Sequence, residues 1–433
     1  MLIVKPNQFN IFVIRCYFKL SVIGLFFLIC QSNFGQNENE TSPLFFIPEI
    51  LVGKTLEANT DFPETTLQKN IFLSLGRYNF NPNKEWAARL NYPTTGLSLG
   101  YTAFGNSEKV GHAYTLMPFI EFSILNRYTS GLNLQAGLGG SYMDTQFNTE
   151  TNPFNRAITT KVNWSFRSFL YYDILKTNKI DWRFGLGYLH HSNGHTRLPN
   201  QGLNSLAASI SAKIDSKHKP EVISKPHRYK SKSQTYLSTR FGIGQNVLTK
   251  KFNTKKEVYS FAMSAGKIIN NTFKFGGGFY YRFYEHYYDY INNNEALVEE
   301  QFPNFKDNPY GYATNFGFFA TSELLLDHFG FEFDLGLNIY KPFYKIDWQL
   351  NQGFSFENSA GETIEVLGEL DWYYEIKRTI SARMGLKYYL WSTNKAPVHN
   401  IFIGIHINAN LGQADFTELS FGYVHRFNFK EKN

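Results

Sequence analysis

The residue types that could do chemistry gather in one short stretch, His190-His191-Ser192-Asn193-Gly194, followed at position 204 by an asparagine. A serine hydroxyl is a poor nucleophile until a base within hydrogen-bond reach takes its proton. On an extended strand residues i and i+2 face the same side, so His190 and Ser192 present an imidazole and a hydroxyl together, while His191 points the other way. His190 can then act as base and Ser192 as the nucleophile of an ester. A third group must fix which imidazole nitrogen carries the hydrogen, and the Asn204 side-chain oxygen can do so from the next strand, supplying orientation without charge. Backbone N–H groups near Ser192 to Gly194 and the Asn193 amide are the nearest donors for an oxyanion. Asn155, in the turn Asn152-Pro153-Phe154-Asn155 at the same expected end, is a candidate to line the site. The opposed directions of His190 and His191 argue against a metal centre, and neither metal nor cofactor is expected. The competing plain reading is that His190 and Ser192 are polar residues meeting lipid headgroups.

The elements that must position these groups read as strands. Trp182, Phe184, Leu186 and Tyr188 alternate with Asp181, Arg183, Gly185 and Gly187. In 204–214 the apolar Leu206, Ala208, Ile210, Ala212 and Ile214 alternate with Ser205, Ser209, Ser211 and Lys213. Period two with one apolar face predicts transmembrane strands whose apolar side meets lipid. His190, Ser192 and Asn204 continue that lipid face at a shared rim, a costly place for polar groups without a purpose. Similar segments are expected at 131–145, 156–175, 234–245, 258–268, 273–288, 313–325, 331–340, 380–391, 401–410 and 416–427. Weaker ones fall at 49–54, 71–76, 96–104, 113–123 and 369–376. The tally is roughly 14–16 strands. The basic stretch 215–233 could divide the chain into halves. With no internal repeat and no convincing boundary, the expectation is a single outer-membrane barrel over 36–433, with 45–214 carrying the site and 234–429 adding strands.

Composition agrees with an all-β, transmembrane antiparallel β-barrel. Of 433 residues 43% are hydrophobic and 18% aromatic, with only 18% charged. Mean hydropathy is nevertheless −0.33, and no run of 18 or more apolar residues exists to form a membrane helix. Lys5, Arg15 and Lys19 precede a short apolar run, 20–30, ending near small Gly35, which predicts a signal peptide over 1–35. Both cysteines, Cys16 and Cys30, lie within it, so disulfides and thiol chemistry are excluded from the mature chain. The net charge of +7 comes from scattered residues, and nucleic acid is not an expected partner.

His190-x-Ser192-Asn193, then Pro199-Asn200-x-Gly202 and Asn204, resembles the motif of the outer-membrane lipid A 3-O-deacylases of the PagL type (acyloxyacyl hydrolases). That resemblance implies a barrel with a His-x-Ser pair and an acid twelve residues after the serine, working at the outer leaflet. His190 matches the base and Ser192 the nucleophile, whereas Asn204 replaces the family's glutamate. The segment also resembles outer-membrane phospholipase A, whose His-x-Ser-Asn-Gly stretch and later asparagine match His190, Ser192, Asn193, Gly194 and Asn204. No acidic residue lies between 188 and 206 to hold that family's calcium. The expectation is a cofactor-free serine hydrolase cleaving an acyl ester of a membrane lipid, lipid A or else a phospholipid, in the outer membrane and facing the outer leaflet. The rival from another class is a channel tuned by lumenal Arg183, Lys161 and Lys213. Oligomeric state is not legible.

Overall fold

The computed structural model describes residues 43–81, 84–124, 131–215, 229–357, 361, 363–366 and 371–427. The expected signal peptide lies outside the described residues. Alternating burial runs along nearly every strand, as in Gln68–Tyr78, where Phe72 is fully buried while Ile71, Leu73 and Leu75 are exposed. The strands are antiparallel, and they close into two rings rather than one.

The first ring holds β1 (Leu44–Thr55), β2 (Gln68–Tyr78), β3 (Thr94–Ala103), β4 (His112–Ser123), β5 (Leu132–Met143), β6 (Val162–Lys176), β7 (Ile180–Ser192) and β8 (Leu203–Asp215). It closes because β1 pairs with both β2 and β8. The second holds β9 (Ser233–Asn246), β10 (Lys256–Ile269), β11 (Phe273–Tyr284), β12 (Thr314–Leu326) and β13 (Phe329–Tyr340). A small hairpin, β14 (Phe354–Glu357) and β15 (Thr363–Val366), stands apart, and β16 (Ile380–Tyr389), β17 (His399–Asn410) and β18 (Gln413–Phe427) complete the ring, with β9 pairing both β10 and β18. The expected single barrel is therefore corrected to two eight-stranded barrels. Alternation reveals strands and their faces, but ring size depends on which distant strands pair, and no local pattern carries that. The boundary falls in the basic stretch, since β8 ends at Asp215 and β9 starts at Ser233. A second correction concerns 369–376: Asp371–Thr379 is a helix. Tyr374 stacks there on Tyr344 with ring centroids 5.2 Å apart, so tertiary packing overrides the strand-like composition.

An eight-stranded barrel is just wide enough for its interior to be filled by side chains. In the first barrel Arg167 pairs with Glu49 at 2.9 Å, and Tyr171 donates to the other Glu49 oxygen at 2.5 Å. Arg183 and Lys213 share Glu121 at 2.8 and 3.2 Å. Lys161, expected in the lumen, is instead exposed just before β6. In the second barrel Arg383 bridges Glu332 and Glu418, and Lys274 and Lys387 share Glu323. Asp415 accepts from the Tyr284 hydroxyl at 2.7 Å. Arg183 and Lys213 thus serve a packed ionic core and do not line an open pore. Among the described residues no helix is long and apolar enough to cross a membrane.

The connections 56–67, 104–111, 144–161 and 193–202 of the first barrel leave from one end, where β7 stops at Ser192, and 79–93, 124–131 and 177–179 leave from the other. The connection 193–202 meets the second barrel's 247–255. The Leu198 N–H donates to Asn253 Oδ1 at 2.9 Å, and Asn253 Nδ2 donates to the Leu198 carbonyl at 2.6 Å. At the other end Asn271 donates to Glu85 at 3.2 Å. The barrels therefore stand side by side, with 193–202 of one against 247–255 of the other.

Arg167→Ala leaves Glu49 buried without its counter-charge. We expect a loss of about 3–5 kcal/mol, measured by denaturant unfolding in detergent micelles, with much of it recovered in Arg167→Met/Glu49→Gln. A single variant as stable as the parent would refute the assigned role of this pair.

Candidate active site

β7 lies between β6 and β8, with His190 opposite Asn204 on one side and Ser192 opposite Trp164 on the other. The exposure of Trp182, Phe184, Leu186, Leu206 and Ile210 marks the outer face of β7 and β8, and His190, Ser192 and Asn204 continue it in register. His190 Nδ1 lies 2.7 Å from Asn204 Oδ1. A carboxamide oxygen can only accept, so Nδ1 carries the hydrogen and Nε2 keeps the lone pair a base needs. The Tyr188 hydroxyl donates to the same oxygen at 2.5 Å, and its ring lies nearly parallel to that of His190 at 6.4 Å. Two donors converge on Asn204 Oδ1 and fix the amide's orientation. Gly202 completes the cradle. Its φ of +75° suits glycine, and a Cβ there would come within 2.8 Å of His190 Cε1.

Ser192 is 8% exposed on the same face, and no hydrogen bond joins its hydroxyl to His190 in this state. Catalytic hydrogen bonds often tighten only when substrate is bound. The strand beside the serine and the turn after it both reach the second barrel. Trp164, across from Ser192, donates its indole N–H to Thr417 Oγ1 on β18 at 3.1 Å, and the Thr417 hydroxyl donates to the Gly194 carbonyl at 3.3 Å. The turn following the serine is thus tied to both barrels.

The other expected site residues have different engagements. The Asn193 backbone N–H donates to Asn200 Oδ1 at 2.9 Å, and its side-chain amide donates to the Arg197 carbonyl at 2.7 Å. Asn193 therefore shapes the turn and does not point its donors at an oxyanion. The Gly194 N–H has no acceptor among the described residues and is the better donor candidate. Asn155 is fully buried and ties its connection to the Lys109 carbonyl at 2.7 Å. His191 faces the lumen, within 2.7 Å of Ser165 and 3.1 Å of Ser141. Sequence reasoning missed Tyr188, read as an apolar face residue although its i, i+2 spacing from His190 placed both on one face. Trp164 and Thr417 carried no sequence signal, being 253 residues apart.

Below the His190–Asn204 pair the outer wall forms a shallow apolar groove of about 1070 Å³, lined among others by Val52, Lys54, Leu170, Leu186, Tyr188 and Leu206. It runs along the face that alternation assigns to lipid. The arrangement offers an oriented imidazole, a hydroxyl on the same face and an open apolar groove.

The fold and this face define an outer-membrane β-barrel protein whose candidate chemistry lies on the lipid side. Residues 75–213 match the family model described as Lipid A 3-O-deacylase (PagL), and that span contains His190, Ser192 and Asn204. The match covers β3–β8 together with the end of β2, and is similarity over that segment, whereas β9–β18 lie beyond it. Among solved structures, the crystal structure of the outer membrane enzyme PagL is 17% identical over 38% of this chain and 97% of its own, with a TM-score of 0.26. A Rhodopseudomonas blastica porin triple mutant is 7% identical over 89% of this chain and 99% of its own, TM-score 0.16. An outer membrane channel from Pseudomonas putida F1 is 8% identical over 90% and 99%, TM-score 0.18. No curated protein matches the chain.

Thr417→Val removes the hydrogen bonds that tie β18 to Trp164 of β6 and to the serine turn at Gly194. Amides of 194–197 should exchange with deuterium about fivefold faster or more, with Thr417→Ser close to the parent. Unchanged exchange would show that the second barrel does not hold the turn.

Proposed function

We propose that this chain hydrolyses an acyl ester of an outer-membrane lipid of the lipid A class, by a serine mechanism without cofactor. The observation that carries the reading is the Nδ1-bonded His190, held by Asn204 and Tyr188 within a PagL-family segment and on the same outer face as Ser192. Ser192 Oγ attacks the ester carbonyl while His190 Nε2 takes its proton. The Gly194 N–H, held in its turn by Asn193 and Thr417, is the donor nearest the developing oxyanion. His190 returns the proton to the leaving alcohol, and water repeats the cycle on the acyl-enzyme. The groove takes the acyl chain. The end that carries His190, Ser192 and the connections 144–161 and 193–202 faces the outer leaflet. An amide in the third position leaves the imidazolium without a neighbouring carboxylate, so the orienting hydrogen bonds must do more of the work.

The amide at Asn204 also favours a second reading, a phospholipase A, because it matches that pattern where the deacylase pattern has an acid. Mass spectrometry of lipids from cells with and without the protein separates the two. Loss of one acyl chain from lipid A supports the first reading, and lysophospholipid supports the second. Ser192→Ala and His190→Ala should each lower kcat at least about 10³-fold with the barrels still folded. Tyr188→Phe should cost about 3–10-fold, the worth of one hydrogen bond. Asn204→Ala should fall between these, and Asn204→Glu should be tolerated. Hydrolysis retained in purified Ser192→Ala protein rules the mechanism out.

A further inference from the structure

Arg156 is 3% exposed, and its Nη2 is buried with no hydrogen-bond partner. Most other buried arginines of the described residues also leave a guanidinium nitrogen without a partner, but each has a side-chain acceptor elsewhere on the fork: a carboxylate at 2.8–2.9 Å for Arg167, Arg183, Arg240 and Arg383, an amide at 3.0 Å for Arg282 and Arg426. No ion pair reaches the Arg156 guanidinium among the described residues. The acid whose field acts on it, Asp61, sits on the exposed connection after β1. A guanidinium out of water without a partner is costly, and such groups persist where a ligand supplies the missing acceptors.

Its place in the fold indicates which ligand. The Gln201 and Gly202 N–H groups donate to the Arg156 and Ala157 carbonyls at 3.2 and 3.0 Å, and Gly202 lies against the His190 ring. On the other flank of the same 193–202 connection, Asn253 clasps Leu198 and brings 247–255 of the second barrel alongside. Lys250 belongs to that segment. The 193–202 connection, bonded to Arg156 and Ala157 on one side and to Asn253 on the other, brings the segment of Lys250 to that of Arg156, and burial, then the Arg156 charge, hold the Lys250 pKa down to about 8. Like charges held together at a desolvated rim repel, and an anion bound between them reverses the sign of that interaction.

We propose that Arg156 of the first barrel and Lys250 of the second form an anion site at the seam between the barrels, which takes a phosphate of the lipid headgroup and selects phosphorylated lipids. The inference rests on the esterase reading and adds the headgroup contact that seats the ester at Ser192. It gives the second barrel a share in the site. Arg156 offers a planar fork to phosphate oxygens, and Lys250 adds a point charge from the facing wall.

The test uses the full chain in detergent micelles, in a Ser192→Ala background so that binding is read without turnover. The probes are a bisphosphorylated acylated glucosamine disaccharide, its dephosphorylated form, and inorganic phosphate, each titrated by calorimetry. Arg156→Gln and Lys250→Gln should each weaken the bisphosphorylated lipid about tenfold and leave the dephosphorylated lipid within about twofold, with Arg156→Lys intermediate. Equal weakening of both lipids, or of neither, overturns the site. Inorganic phosphate bound as tightly as the phosphorylated lipid, and lost in Arg156→Gln, would make free phosphate the ligand and overturn the headgroup assignment. The esterase reading fails separately: a Ser192 parent that discriminates the two lipids as expected but cleaves neither sinks the hydrolase and leaves the anion site standing.

Discussion

Each ring closes after eight strands because its first strand pairs with both its second and its last, and an eight-stranded interior is only as wide as the side chains that fill it. Arg167, Glu49, Tyr171, Arg183 and Glu121 occupy that space in the first barrel as a set of mutually satisfied charges. A buried ion pair of this kind adds little net stability over an apolar core, but removing one member is expensive. With the interior spoken for, chemistry can only be placed on the outer wall or at a rim.

The lipid-facing rim imposes its own condition. A polar group there must find a partner, since hydrocarbon offers none. His190 finds Asn204, Asn204 finds Tyr188, and Gly202 leaves room for the ring. The same bonds that satisfy these groups also set the imidazole tautomer, leaving the Nε2 lone pair that the proposed base would need. Ser192 lacks such a bond to His190 in this state, and its neighbours Trp164 and Gly194 are tied instead to Thr417 of the second barrel.

A second barrel standing against the serine-bearing rim changes what an outer-wall site can be. One barrel alone presents a convex surface to lipid, on which a substrate touches protein from a single side. The seam supplies a second wall, in which Thr417 and Asn253 bond to the strand and turn beside the serine.

Strands, their faces and the His190–Ser192–Asn204 constellation could be read from the chain because period-two alternation and i, i+2 spacing are local. β5, β7 and β8 begin and end within three residues of where alternation put them, and the lipid face of β7 and β8 is the one expected. Tyr188 was within reach of the same rule, and only its apolar reading hid it. Ring size, the helix at Asp371–Thr379, the engagement of Asn193 and the Trp164–Thr417 bridge were decided by tertiary structure. Each depends on which residues distant in sequence come into contact, and a hydrogen bond across 253 positions leaves no periodic trace in the chain that makes it.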